Sequence, residues 1–203
     1  MRDGGLLSFF LTSLLIELTP GPNMAYLASV AVGRGRAQAL AGVAGVALGL
    51  ATVGALASLG LAELILRYPL LYAALRYAGV IFMLWLAFDA WRDADIRDET
   101  QAGSFASFGR GLVTNLLNPK AAVFYVAILP GFIDPAGGGL VWQNIQLVGV
   151  YVATATAVHA AIVLMAARLR GNFAGGAAQR LVRRVLAVLL AIVALWLLWE
   201  TRK

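Results

Sequence analysis

The fold is decided by the stretch Leu18-Thr19-Pro20-Gly21-Pro22-Asn23 and by its counterpart in the second half of the chain, Asn118-Pro119-Lys120. Both stretches interrupt apolar segments that are long enough to cross a membrane, which takes about 20 residues of helix. A proline inside a helix lacks the N–H group and clashes with the preceding turn, so regular helix breaks here. Broken backbone at membrane depth is tolerated only against protein or a water-filled cavity. Two such breaks, one in each half, indicate a transport site.

The composition places the chain in a membrane. Of its 203 residues, 61% are apolar and 13% are charged, and the mean hydropathy is +0.83. Soluble domains carry about 25% charged residues. We therefore predict an all-α integral membrane protein with one membrane domain over residues 1–203, which is not an enzyme and binds no nucleic acid. The net charge of +6 is explained by arginines that keep loops on the cytoplasmic side.

Six segments are long and apolar enough to be transmembrane helices, and the first and fourth are the broken ones. Their approximate bounds are 6–32, 39–61, 70–91, 110–132, 145–169 and 181–199. Three spans fall in residues 1–92, a cytoplasmic loop covers about 93–109, and three more fall in 110–203. Because each half has an odd number of spans, the halves enter the membrane from opposite sides. The pattern predicts two inverted three-helix repeats.

The distribution of basic residues predicts the orientation. The loops after spans one, three and five hold most of the arginines, and cytoplasmic loops are the arginine-rich ones. Both termini should then lie outside. The residues on the predicted cytoplasmic side are Arg34, Arg36, Arg92, Arg97, Arg110, Arg168, Arg170, Arg180, Arg183 and Arg184.

Lys120 and Glu17 are ionisable residues inside predicted spans. A lysine at the middle of a span costs about 2.5–3.5 kcal/mol, so a functional role is expected. Lys120 is predicted to face the cavity, where it would bind a carboxylate or pair with an acid; the alternative is a lysine at a span end. Glu17 would exchange a proton with the cavity or hold a substrate ammonium. Its alternative role is an internal pair with Lys120 that only locks two spans together.

The breaks also supply polar groups to the predicted substrate site. Asn23 and Asn118 offer both donors and acceptors, which suits the two charged ends of a zwitterion. Asparagines at such positions, Asn115 among them, can equally cap broken backbone. The predicted substrate-binding residues are Pro20, Gly21, Pro22, Asn23, Asn118, Pro119 and Lys120.

Three residues are candidates for proton coupling: Glu17, Asp134 and His159. Asp134 follows Pro130-Gly131-Phe132 and is either an exit-side ligand or a solvated loop acid. His159 is the only histidine, and its alternatives are a proton relay and a packing residue. Since the chain has no cysteine and one histidine, we predict no metal and no other cofactor.

Small residues recur every four positions in the second predicted span, at Ala41, Gly45 and Gly49. Such a stripe allows helices in a membrane to approach closely. We interpret it as a packing surface.

Taken together, these motifs resemble the lysine exporter / homoserine–threonine resistance (LysE/RhtB) family of amino-acid exporters. The resemblance rests on the Pro-Gly-Pro motif at Pro20–Pro22, the Gly-rich second span, and Asn118-Pro119-Lys120 followed by Leu129-Pro130-Gly131-Phe132. It implies a homodimeric, proton-motive-force-driven exporter of amino acids or close derivatives in the bacterial inner membrane. Many members carry an acid where this chain has Asn23.

The mechanism that this resemblance suggests is alternating access between the two halves, with a small zwitterion bound near the bilayer centre. Two alternatives stay open: export of another small metabolite, and a non-transporting membrane scaffold.

Overall fold

The computed structural model describes residues 5–60, 67–93, 103–172 and 176–200, and within these ranges the chain is almost entirely helical. A short π-helical turn, Phe124–Ile128, and a 3-10 turn, Leu129–Phe132, continue the short helix Pro119–Val123. Another 3-10 turn covers Pro135–Gly137. The helices in the described ranges are α1 (Gly5–Leu18), α2 (Pro22–Arg34), α3 (Arg36–Ser58), α4 (Pro69–Asp93), α5 (Ser104–Leu116), α6 (Pro119–Val123), α7 (Leu140–Asn172) and α8 (Gly176–Glu200).

Both predicted breaks are confirmed. Helices α1 and α2 meet at an angle of 60°, and α5 meets the segment Pro119–Phe132 at 51°. A proline occupies the first turn after each break, Pro22 in α2 and Pro119 in α6. Proline suits this position because the first N–H groups of a helix have no intrahelical partner.

Among the described residues, α3, α4 and α7 are each long and apolar enough to cross a membrane, and the two bent pairs raise the number of such spans to five. The sixth predicted span falls on α8, so six spans in two inverted repeats stay a prediction. The fourth segment is helical from Ser104 onward, earlier than the predicted start at Arg110. Most of the predicted loop, and Arg2, Arg97, Arg202 and Lys203, lie outside the described residues, and the orientation stays a prediction.

Glycines bring α3 and α5 into direct backbone contact. A Cβ atom on Gly45 would lie 2.0 Å from the carbonyl oxygen of Phe108, and one on Gly111 would lie 2.3 Å from that of Gly42. Real Cβ atoms are not found so close to backbone, so only glycine fits. The predicted packing role of Gly45 is confirmed, and this contact fixes the helix that leads into the second break.

An ion-pair cluster joins α2, α4 and α5 at one end of the bundle. Asp89 accepts hydrogen bonds from Arg34, at 3.2 Å, and from Arg110. The Arg110 guanidinium also lies over the ring of Trp85, 5.0 Å from its centroid. These side chains are only partly exposed, so the charges attract each other more strongly than they would at an open surface.

At the other end, Gln143 ties the turn after Phe132 to α7. Its side-chain oxygen accepts from the backbone N–H of Asp134 at 2.9 Å. Its amide nitrogen donates to the carbonyl oxygens of Asp134, at 3.0 Å, and Gly138, at 2.7 Å. The predicted residue Asp134 therefore belongs to a structured turn at the end of the bundle.

Candidate functional site

The two breaks meet across one narrow cleft, which we call the central cleft. With its open mouth it encloses about 270 Å³. Its lining comes from the two breaks and from α1, α2, α3, α5, α6 and α7, and includes most of the predicted site residues. The lining residues are Glu17, Thr19, Gly21, Pro22, Asn23, Met24, Leu50, Asn115, Asn118, Lys120, Ala121, Tyr151 and His159.

Lys120 reaches from the second break to the first. Its Nζ donates to the carbonyl oxygen of Ile16 at 2.7 Å and to that of Thr19 at 3.0 Å. The last carbonyls of a helix have no intrahelical partner, and a cation is favourable at the negative end of the helix dipole. Lys120 therefore caps the carboxyl end of α1, in the other half of the chain.

Glu17 is buried and has its own partners. The Tyr151 hydroxyl donates to Glu17 Oε1 at 2.7 Å, and His159 Nε2 lies 3.4 Å from Oε2. No ion pair within 4.0 Å joins Glu17 to Lys120, both of which lie in the described part of the chain. The predicted alternative of a direct Lys120–Glu17 pair is therefore wrong. An ammonium and a carboxylate line the same cleft without neutralising each other directly.

A pair of buried asparagines joins the two halves. Asn23 Nδ2 donates to Asn115 Oδ1 at 2.9 Å. The remaining amide atoms, Asn23 Oδ1 and Asn115 Nδ2, are buried and have no hydrogen-bond partner among the described residues. Asn115 packs directly on Gly49, where a Cβ atom would lie 2.8 Å from that of Asn115. Asn115 thus pairs with Asn23 instead of capping backbone.

The two breaks differ in how the helix that follows each one begins. At the second, the Asn118 side chain accepts from the backbone N–H of Lys120 at 3.1 Å, which confirms the capping alternative for Asn118. At the first, Gly21 precedes α2 and no side chain caps the helix. The uncapped first turn of α2 lines the cleft, and a helix N-terminus of this kind attracts anions.

Three predicted site residues do not line the central cleft. Pro20 is exposed and Pro119 is fully buried, so each shapes its break without lining the cleft. Asp134 lies in the turn held by Gln143. Sequence reasoning missed Tyr151 in the site, although it lies two turns before His159 on α7, a spacing that keeps two side chains on one side of a helix. It also missed Thr19, Met24, Leu50 and Ala121, which carry no charge to mark them.

Comparison with known proteins adds an independent line of evidence. The family described as LysE type translocator matches residues 14–201. The chain is 34% identical to a homoserine/homoserine lactone efflux protein of Salmonella typhimurium over 132 residues, which cover 63% of this chain and 64% of that protein. It is 34% identical to a leucine efflux protein of Enterobacter sp., covering 64% and 65% of the two chains.

The match to a third, less similar relative extends over a larger share of both chains. The chain is 28% identical to a threonine efflux protein of Escherichia coli, over 70% of this chain and 76% of that protein. The match spans slightly less than two thirds of the length of the Salmonella and Enterobacter proteins. No solved structure matches it.

Proposed function

The chain belongs to the LysE-type translocator family, whose members are membrane exporters and not enzymes, and from that premise we propose that it exports small amino acids from a bacterial cell. The relatives are named for efflux of homoserine and homoserine lactone, of leucine and of threonine. Homoserine, leucine and threonine are zwitterions of similar size, whereas the lactone is a cyclic ester without a carboxylate. We further propose that it works in the inner membrane as a homodimer of six-span subunits, with both termini outside.

The observation that carries this proposal is the separation of charges in the central cleft. Lys120 supplies a positive charge on one side and Glu17 a negative charge on the other, and each is satisfied by partners other than its opposite. An amino acid carries the same two charges in one molecule. Its carboxylate would bind Lys120 and the uncapped first turn of α2, and its ammonium would bind Glu17.

Binding at Lys120 would change the contact between the two halves. The ammonium now donates to two neutral carbonyl oxygens of α1, at Ile16 and Thr19. A substrate carboxylate is a stronger acceptor, since hydrogen bonds between two charged groups are about twice as strong as neutral ones. When the carboxylate takes one of these donors, α1 loses part of its link to α6. We propose that this exchange starts the alternating-access movement at the breaks.

Glu17 is proposed to couple export to protons. A buried carboxylate can bind either a proton or an ammonium, but the protonated acid holds an ammonium weakly. A proton that enters from outside would therefore release the substrate, so the proton-motive force would drive export. His159 lies beside Glu17 and would relay that proton, and Asp134 would act near the end of the pathway.

The alternatives differ in what they require of the cleft. A non-transporting scaffold has no need for polar and charged groups from both broken helices around one cleft. Export of another small metabolite is compatible with the fold. Transport of a compound that carries only one of the two charges would favour this alternative over amino-acid export.

Efflux after dipeptide feeding tests the proposal. Cells would be loaded with homoserine-, threonine- or leucine-containing dipeptides, and release of the free amino acid would be compared for wild type, Lys120→Met and Arg180→Met. Arg180 is an exposed cation outside the cleft, so its variant controls for charge removal. Lys120→Met should lower efflux at least about tenfold, because a hydrogen bond to a charged group is worth about 1.5–3 kcal/mol.

Two results would contradict the proposal. If the wild type released none of these amino acids faster than cells without it, export of small amino acids would be rejected. If Lys120→Met exported as fast as wild type at equal amounts in the membrane, the binding role of Lys120 would be rejected.

A further inference from the structure

We propose that Tyr151 is a positioning residue, which uses its hydroxyl to hold Glu17 in place and its ring to link that acid to a cluster of aromatic side chains. The inference rests on the proposed function, in which Glu17 binds the substrate ammonium or a proton. It adds a residue that the sequence motifs do not point to, and it identifies how a change at Glu17 reaches the rest of the bundle.

The hydroxyl contact is the stronger of the two that Glu17 makes. Tyr151 donates to Oε1 at 2.7 Å, whereas His159 Nε2 lies 3.4 Å from Oε2, near the limit for a hydrogen bond. Tyr151 and Glu17 are 1% and 5% exposed, so water does not replace this partner. A hydrogen bond to the charged form of an acid favours that form. Tyr151 therefore stabilises the carboxylate that an ammonium requires.

The other titratable groups that face Glu17 come from three elements besides its own helix, α1. His159 shares α7 with Tyr151, while Lys120 in α6 and Tyr125 in the π-helical turn act on the acid through space. The Tyr125 hydroxyl is bound to the carbonyl oxygen of Leu50 at 2.9 Å. Lys120 is bound to the carbonyls of α1. Of these groups, Tyr151 alone gives Glu17 a hydrogen bond shorter than 3 Å.

The ring of Tyr151 belongs to an aromatic cluster formed by Phe9, Phe124, Tyr125, Phe132 and Tyr151. Tyr151 stacks on Phe124 with ring centroids 3.7 Å apart and planes inclined by 15°. Phe124 contacts Phe9 at 5.8 Å, and Phe9 meets Phe132 edge-on at 5.0 Å. The cluster thus joins α1, α7 and the segment that follows the second break.

Phe124 is also the first residue of the π-helical turn. Such turns are rare and frequently lie at functional sites. When Glu17 binds a proton or an ammonium, it becomes a weaker acceptor for the Tyr151 hydroxyl. Tyr151 can then shift, and its stacking partner Phe124 lies where the helix geometry is already irregular. One side chain therefore connects the charge state of the cleft to the packing of three elements.

The test compares Tyr151→Phe with Tyr26→Phe. Tyr151→Phe removes the hydroxyl and keeps the ring, so the aromatic cluster stays packed. Tyr26→Phe removes an equally buried hydroxyl that donates to the carbonyl oxygen of Ser107 at 3.0 Å, outside the cleft. Export of homoserine, threonine and leucine by the purified protein in lipid vesicles would be measured across pH. The pH profile of export should change in Tyr151→Phe, which has lost the hydrogen bond to Glu17, and should match wild type in Tyr26→Phe.

An infrared titration gives a readout that does not need transport. The carbonyl stretch of a protonated carboxylic acid would be followed with pH in the same proteins, and its absence from Glu17→Gln would assign the band. We expect the band of Glu17 in Tyr151→Phe to follow pH differently from the wild-type band, and the band in Tyr26→Phe to match wild type. An unchanged titration, or equal changes in Tyr151→Phe and Tyr26→Phe, would overturn the inference. Failure of wild-type export with a shifted titration would instead reject the proposed function and leave Tyr151 as the partner of the acid.

Discussion

The first and second breaks share one design but differ in how firmly they are held. In each, a proline starts the helix after the break, α2 or α6. The next residue contacts the helix that leads into the other break: Asn23 contacts α5, and Lys120 contacts α1. The second break is capped by Asn118 and preceded by α5, whose backbone lies against α3. The first has no side-chain cap. The comparison indicates that the second break is the fixed partner and that the first has free groups to offer a ligand.

The reciprocal contacts also support the proposed inverted repeat. Asn23 reaches α5 while Lys120 reaches α1, so the same position after each proline crosses to the opposite half. The side chains differ, because one forms an amide pair and the other an ammonium cap. The two halves therefore supply different chemistry from equivalent places, which suits a substrate whose two ends differ.

The largest effect is expected where the second break is anchored. Gly45→Ala would place a Cβ atom 2.0 Å from the carbonyl oxygen of Phe108, so α3 and α5 must separate. Overpacking of this kind costs about 3 kcal/mol, and rigid backbone cannot relieve it locally. Thermal unfolding of the detergent-solubilised protein should show a lowered midpoint. Gly149→Ala is the control, because nothing lies within 4 Å of its added Cβ, and equal stability of the two variants would contradict the anchoring of α5.

A smaller effect is expected from removing the cap of the second break. Asn118→Ala leaves the backbone N–H of Lys120 without its acceptor, which should lower the free energy of unfolding by about 1 kcal/mol. Asn118→Ser keeps a capping oxygen and should retain most of the stability. Denaturant unfolding of both variants measures the difference. If Asn118→Ala were as stable as wild type, the contrast between a capped and an uncapped break would have no energetic basis.

The smallest change in stability, with the opposite sign, is expected from capping the first break. Gly21 has an extended backbone, and its added Cβ would make only ordinary contact with Lys120, at 3.8 Å. Gly21→Asn should therefore stabilise α2 by about 0.3 kcal/mol. The new cap would occupy N–H groups proposed to bind the substrate carboxylate, so amino-acid efflux should fall.

The matched control for that variant is Gly103→Asn. Gly103 precedes α5 without a side-chain cap, as Gly21 precedes α2, and nothing lies within 4 Å of its added Cβ. Efflux by Gly103→Asn should equal that of wild type. If Gly21→Asn also exported at the wild-type rate, the first turn of α2 would not take part in substrate binding.

The breaks, and the placement of Lys120 and Glu17 beside them, followed from the sequence, because proline in an apolar segment and charge at membrane depth have few explanations. That His159 lies in the same cleft is seen only in the structure. The contacts between the halves could not be predicted. The contacts of Asn115 and Tyr151 depend on which faces of the helices lie together. A membrane helix is apolar on all sides, so its sequence does not show which face is inward, and nothing distinguishes Tyr151 from the other five of the six tyrosines. The partners of Lys120 were missed for a related reason, since backbone carbonyls leave no trace in a sequence.

The glycine contact between α3 and α5 has a mechanical consequence. Where the backbones of α3 and α5 touch, at Gly45 and Gly111, no side chain lies between the helices to slide or repack, so the pair turns as a single lever. Any motion that exposes the cleft to one face of the membrane and then the other has to carry this lever as one rigid body against α1, α2 and α7. A pair of cysteines that cross-links α3 to α5 should therefore leave turnover intact, whereas one that cross-links α1 to α6 should stop it.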